Sequence, residues 1–330
     1  MKWETENSNK LKAVFPPNAP MESHCTFSQT PVIYDNLFFI DFNKRGNCIL
    51  GGSGVDETFW EGSLLYFENS KQLLENFNYA GYYVYSTNSD GKFVNENTVA
   101  LADDTGHLNI VSIEVDTSLR TINYFRLSNI VSELSVWDNS PRVLTAADRT
   151  VSIWDCNSAD GKPLEKYESY HLDTVTSVDT LRSDTNLFTS GGNDRLACIW
   201  DRRNPSVASV LYANEFSSIT SVAWNQYDDN YIIAGTQAGD IYLLDRREPK
   251  EFVSIFYCFS APVNKISFKD AKNFAVCGDT REILVINSEE DNFNVVYKNG
   301  KHKGHVKGLA WHGGVLFTCG FGRSVIKHEL

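Results

Sequence analysis

The dipeptide Trp-Asp closes two segments that are close copies of one another, Asp148-Arg149-Thr150-Val151-Ser152-Ile153-Trp154-Asp155 and Asp194-Arg195-Leu196-Ala197-Cys198-Ile199-Trp200-Asp201. Each opens on an aspartate suited to a turn and continues as a strand rich in β-formers. Weaker copies end at Phe67-Glu68, Val111-Ser112, Leu244-Asp245, Ile286-Asn287 and His328-Glu329. The anchors at 67, 111, 154, 200, 244, 286 and 328 stand 42 to 46 residues apart. A fixed period of this size marks a repeat architecture, and about 40–45 residues is what four short strands use in one propeller blade. Seven copies within 330 residues predict an all-β ring of seven blades and no division into two domains.

A second register agrees with the first. Before the last four anchors comes an apolar strand, seen at Val175/Val178, Ile219/Val222/Trp224, Val263/Ile266/Phe268 and Val306/Leu309/Trp311. Its alternation suits a strand packed on one face, and in a propeller such a strand lines the central channel. Turn residues such as Gly192-Asn193-Asp194 and Ala238-Gly239-Asp240 separate the strands, and no helical period is visible. The last copy stops at Leu330, directly after its third strand. The missing fourth strand is expected from 24–30, which would close the ring and remove its free edge. Residues 1–21 then form an N-terminal extension and 22–330 a single propeller.

These repeats resemble the WD-repeat family over nearly the whole chain. In that family a buried network joins the indole of the Trp, a strand hydroxyl, a histidine and the turn aspartate. The resemblance places Trp200, Ser190, His171 and Asp194 in one such network, with Thr189 as the alternative hydroxyl, one residue out of frame. Asp148 and Trp154 are the equivalent members in the preceding copy. His302 stands four residues before Val306, as His171 does before Val175, and is therefore its counterpart. His, Ser and Asp also compose a hydrolase triad, but a nucleophile needs exposure and an oxyanion hole, so the structural role is the expected one.

Composition narrows the function. The net charge of −12 disfavours direct binding of nucleic acid and favours cationic protein partners. Seven scattered cysteines without a C-x-x-C pair suit reduced core thiols and supply no metal site. The glycine-rich stretch 51–54 lacks the Lys-Ser/Thr and the helix that cradle a phosphate, so no cofactor is expected. No apolar run is long enough to span a membrane and the N-terminus does not resemble a signal peptide, which predicts a soluble protein of cytoplasm or nucleus. The segment 298–307 is locally basic and reads as a solvated loop between blades.

One segment departs from the repeat. In the first copy the turn after Asn47-Cys48-Ile49-Leu50 runs over 51–62, where other copies need about five residues. It carries Glu57, Thr58, Phe59 and Trp60, whose aromatic pair either folds back over the rim or anchors a partner. Pro16-Pro17-Asn18-Ala19-Pro20, Ile49-Leu50-Gly51-Gly52-Ser53 and Trp60-Glu61-Gly62-Ser63-Leu64-Leu65-Tyr66-Phe67 are similar to the WD-repeat subunits of methylosomes. That resemblance implies a non-catalytic scaffold bound to a type II, symmetric protein arginine methyltransferase in a hetero-octamer. The partner contacts it implies are Phe59, Trp60, Glu57 and Thr58, with Pro16 and Pro17 ahead of the propeller. It also implies delivery of basic substrates, histone and spliceosomal Sm tails. The segment 21–36 is longer than the resemblance requires. The alternative is a propeller that reads histone peptides or degrons in its channel.

Overall fold

The computed structural model describes residues 33–56, 59–75, 79–84, 86–168, 170–204, 209–289 and 292–330. They form seven antiparallel sheets in a ring, each running outward from an inner strand. Blade 1 comprises Asn36–Phe42, Cys48–Asp56, Phe59–Phe67 and Ala80–Val84, and blade 2 Asn88–Asn95, Thr98–Asp103, His107–Ile113 and Leu119–Arg126. Blade 3 comprises Val131–Val136, Arg142–Ala147, Thr150–Asp155 and Glu165–Tyr167, and blade 4 Val175–Thr180, Leu187–Gly192, Leu196–Asp201 and Ser209–Ala213. Blade 5 follows with Ile219–Trp224, Tyr231–Thr236, Asp240–Asp245 and Ser254–Tyr257, and blade 6 with Val263–Phe268, Asn273–Gly278, Ile283–Glu289 and Asn292–Asn299. Blade 7 has Val306–His312, Val315–Gly320 and Ser324–His328.

The strands form because apolar and β-branched residues recur on both faces of each sheet, and both faces are covered by a neighbour. The core is accordingly divided into clusters, one between each pair of adjacent blades. Blade 1 packs on blade 7 through Leu37, Ile40 and Phe317, and on blade 2 through Phe39, Leu64 and Val99. Phe39 fills a slot between blades 1 and 2 that exists only because Gly51 and Gly91 lack a side chain; a Cβ on either would lie within 2.4 Å of its ring. Removing that ring would cost about 3–5 kcal/mol by the usual scale for a buried aromatic.

Inner strands leave one backbone edge facing the channel, and buried edge groups must find partners. Side chains of the preceding blade supply them. Asp41 accepts the Phe93 N–H, Asp90 that of Leu134, Glu133 that of Val178, Ser177 that of Val222, and Asp179 that of Trp224. The ring is thus stitched around the channel as well as packed between blades.

One sequence expectation changes here. Blade 1 contains one short helix, Ser70–Glu75, where no helical segment was expected. Asn69 caps it, its Oδ1 accepting the N–H groups of Lys71 and Gln72, and Leu73 anchors it in the core. Six residues are too few to show a period. The ring closes at Asn36, which bridges Phe321, and at Asp35, whose carbonyl accepts the N–H groups of Gly322 and Arg323. The expected closing strand 24–30, like the extension 1–21, lies outside the described residues.

Candidate protein-docking site

The segment 51–62 is not the long turn that its glycines suggested. Residues 51–56 continue the second strand of blade 1 and 59–62 begin the third, paired in register from Cys48↔Phe67 to Asp56↔Phe59. Both strands are nine residues long, against six for the second strand of every other blade and five to seven for the third. At the rise of a β-strand, three extra residues project the hairpin about 10 Å past its neighbours. Trp60 lies near its end, opposite Val55, with half of its surface exposed, at 50%. Glu57, Thr58, Pro16 and Pro17 lie outside the described residues, and of Phe59 only the backbone, in its strand, is described.

The glycines serve the root of this hairpin. A Cβ at Gly62 would sit 2.5 Å from the Ser86 carbonyl, so the hairpin lies directly on the connection between blades 1 and 2. A Cβ at Gly54 would meet the ring of Tyr34 at 2.7 Å, and the Tyr34 hydroxyl donates to Glu61 at 3.0 Å. Asn88 donates from Nδ2 to the carbonyls of Gly52 and Ser63, at 3.1 and 2.9 Å, and Ser53 Oγ accepts the Asn88 N–H at 2.9 Å. Both strands of the hairpin are therefore held by blade 2 and by the chain before blade 1.

In blade 4 the structure brings Trp200, Ser190, His171 and Asp194 together. Trp200 Nε1–H donates to Ser190 Oγ at 2.8 Å, Ser190 Oγ lies 2.8 Å from His171 Nε2, and His171 Nδ1 lies 2.9 Å from Asp194 Oδ2. The distances match those of a hydrolase triad, but Ser190 is fully buried and its oxygen already accepts the indole N–H, so no substrate reaches it. Burial alone would raise the Asp194 carboxyl. The bond from His171 and the N–H groups of Leu172 and Leu196 outweigh that and hold it below the usual aspartate range. Thr189, the alternative hydroxyl, instead donates to the Cys198 carbonyl at 2.8 Å.

Blade 3 keeps only half of the pattern. Trp154 donates to Thr145 Oγ1 at 3.0 Å, but Asp148 has no histidine and accepts from Asn129 Nδ2 at 3.3 Å. Its turn is one residue shorter than that of blade 4, with Asp148 itself in the left-handed region at φ 51°. In blade 7, His302 is buried, with Nε2 2.6 Å from Thr318 Oγ1 and Nδ1 3.0 Å from Ser324 Oγ. Thr318 also meets His328 Nε2 at 2.8 Å, and His328 Nδ1 lies 3.2 Å from the Tyr297 hydroxyl. His328 thus takes the place of the tryptophan, a substitution the anchor at position 328 marked without revealing its bonding.

The channel holds a feature that the apolar pattern of the inner strands concealed. Lys265 of blade 6 reaches across to Asp90 of blade 2, at 3.3 Å, and to Glu133 of blade 3. Burial raises the Glu133 carboxyl, and it opposes but does not prevent the lowering of Asp90 by Lys265, Lys92 and two backbone N–H groups. Burial would lower Lys265, yet the two carboxylates keep it raised. The sequence signal was available. The residue two positions after the first of the inner strand is Asp90, Glu133, Ser177, Ser221 and Lys265 in blades 2 to 6. In the basic segment 298–307, Lys298 pairs with Glu282 at 2.9 Å and Lys307 with Asp279 at 2.5 Å, so part of its charge is neutralised within the ring.

A family model described as nucleolar protein 10-like, N-terminal domain, matches residues 105–320. Methylosome protein WDR77 of Xenopus laevis is 23% identical over 300 residues, covering 88% of this chain and 88% of its own length. Protein valois of Drosophila melanogaster is 25% identical over 210 residues, 61% of this chain and 57% of its own. A chain in the crystal structure of the mitotic checkpoint complex is similar in fold, with a TM-score of 0.72 at 13% identity, over 88% of this chain and 89% of that one. The family match spans about two thirds of the sequence, from blade 2 into blade 7, and the chain belongs to the nucleolar protein 10-like, N-terminal domain family of β-propellers, among the WD-repeat proteins.

Proposed function

We propose that this propeller is a non-catalytic scaffold of cytoplasm and nucleus that binds and activates a symmetric protein arginine methyltransferase and presents basic substrates to it. The observation that carries the reading is the projecting hairpin of blade 1, which holds a half-exposed tryptophan on a braced, two-stranded support. Large aromatics presented in this way dominate interface energetics, and a rigid support lowers the ordering cost of docking. The similarity to a methylosome protein over 88% of the chain supports the choice of partner. The charge of −12 suits cationic substrates such as histone and Sm tails. The rival reading, a peptide in the channel, is disfavoured by Lys265, which crosses that space and is tied to both of its opposing carboxylates.

The test is co-purification of the wild-type chain and Trp60→Ala with the symmetric methyltransferase of the same cell. Stable co-elution with the wild type and its loss in the variant, by about a hundredfold in affinity, is the expected result. Co-elution that survives the substitution moves the interface away from the hairpin. Absence of co-elution with the wild type ends the methyltransferase reading.

A further inference from the structure

The first residue of the inner strand is Val131, Val175, Ile219, Val263 and Val306 in blades 3 to 7, each paired with the last residue of the second strand. The position is buried and apolar in all five. In blade 2 it is Asn88, equally buried, paired with Asp103. A buried amide in place of a β-branched apolar side chain is costly unless its hydrogen bonds accomplish something. Its two donors go to the neighbouring blade, to Gly52 O on the outgoing strand of the hairpin and Ser63 O on the returning one. Its backbone N–H goes to Ser53 on the same hairpin. One side chain therefore spans both strands at the place where the hairpin of blade 1 leaves the body of the blade.

Resting on the docking role argued for Trp60, we propose that Asn88 is a positioning residue. It fixes the angle at which the hairpin of blade 1 presents Trp60 to a protein partner. A two-stranded ribbon is the most easily twisted of sheets, so an extension of this length needs a fixed root to hold its tip in one place. Gly62 lets the ribbon come close enough for Asn88 to reach both carbonyls, and Tyr34 with Glu61 steadies the other side. Asn88 does not itself face the partner; it is fully buried.

Asn88→Val installs the residue of blades 3, 4, 6 and 7 and removes both side-chain donors. Amide hydrogen exchange of the free chain is measured first, since it needs no partner. Exchange across 53–63 is expected to rise about tenfold, the usual consequence of losing one or two buried hydrogen bonds, while blade 2 amides and the thermal midpoint stay near wild type. Binding to the methyltransferase is then compared for Asn88→Val, Trp60→Ala and the double variant. A residue acting through the hairpin gives a non-additive cycle, the double variant binding no worse than Trp60→Ala. Unchanged exchange, or additive losses, overturns the proposal. If Trp60→Ala leaves binding intact, the docking role of the hairpin falls, and the exchange result alone decides whether Asn88 holds it. Should Asn88→Val fail to fold, Asn88→Leu, closer in volume and equally without the side-chain donors to Gly52 and Ser63, is held to the same outcomes.

Discussion

Blades 4 and 7 build the same chain of hydrogen bonds from different residues. In blade 4 the donors run Trp200 to Ser190 to His171 to Asp194. In blade 7, satisfying every atom gives Asn299 to Tyr297 to His328 to Thr318 to His302 to Ser324. The direction is the same, since in each a hydroxyl accepts from the anchor side chain and donates to Nε2 of the histidine. The terminus differs: blade 4 ends on a carboxylate and blade 7 on a hydroxyl. A histidine between two hydroxyls gains no counter-charge when protonated. The same scaffold thus carries a seam that ends on an anion in one place and one built only of neutral groups in another.

The largest test of this contrast is acid. Burial pushes both His302 and His328 down to about 4 from an ordinary value near 6.5. Between pH 6.5 and 4 the unfolded chain binds protons that the folded chain does not. Stability therefore falls as pH drops through that window and levels off below it, by on the order of 3 kcal/mol per histidine. Asp194 works in the same sense but in a lower window: its folded pKa is also depressed, so its contribution is present above the ordinary aspartate value and is lost as pH falls below it. Urea midpoints measured from pH 7 to 4 should show the first loss, and His328→Trp, which rebuilds the blade 4 pattern, should reduce it to that of one histidine. A flat profile in the wild type would mean that the blade 7 chain is not neutral.

The next test in size removes the histidine from each seam. His171→Ala strands the buried carboxylate of Asp194 and should cost roughly 3 kcal/mol at neutral pH. His302→Ala leaves neutral hydroxyls and no stranded charge, and should cost about 1–2 kcal/mol. Chemical denaturation at pH 7 measures both, and equal losses would break the distinction between a charged and a neutral seam.

How far these seams were legible in the sequence follows from what repeats. Trp200, Ser190, His171 and Asp194 stand where the resemblance to WD repeats puts the network, with only the choice between Ser190 and Thr189 left to the structure. His328 could be placed, but not its role, because the role depends on which ring nitrogen faces Thr318. The hairpin of blade 1 was visible as surplus length and misread as a loop. Its glycines signal close approach of Phe39, Tyr34 and Ser86, which lie elsewhere in the chain or across a blade boundary. Asn88 and Lys265 escaped for a related reason: their partners belong to other blades, and no single repeat contains both ends of the contact. Fold came from what every repeat shares, while the candidate site came from where one repeat departs.

The smallest test asks whether the frame of the blade 4 seam is as tight as its geometry. Thr189 and Ser190 are adjacent, both fully buried, and point to opposite faces of the sheet. Thr189 donates only to the Cys198 carbonyl, a bond inside its own hairpin, so Thr189→Val, close to isosteric, should cost about 1 kcal/mol. Ser190→Ala removes a comparable hydroxyl but leaves both the Trp200 N–H and His171 Nε2 without a partner, and its cost should be about twice as large. Equilibrium unfolding of the two variants side by side reads the difference. Equal costs would show that the seam can slip to the neighbouring hydroxyl, and the one-residue ambiguity of the repeat would then be a property of the folded blade as well.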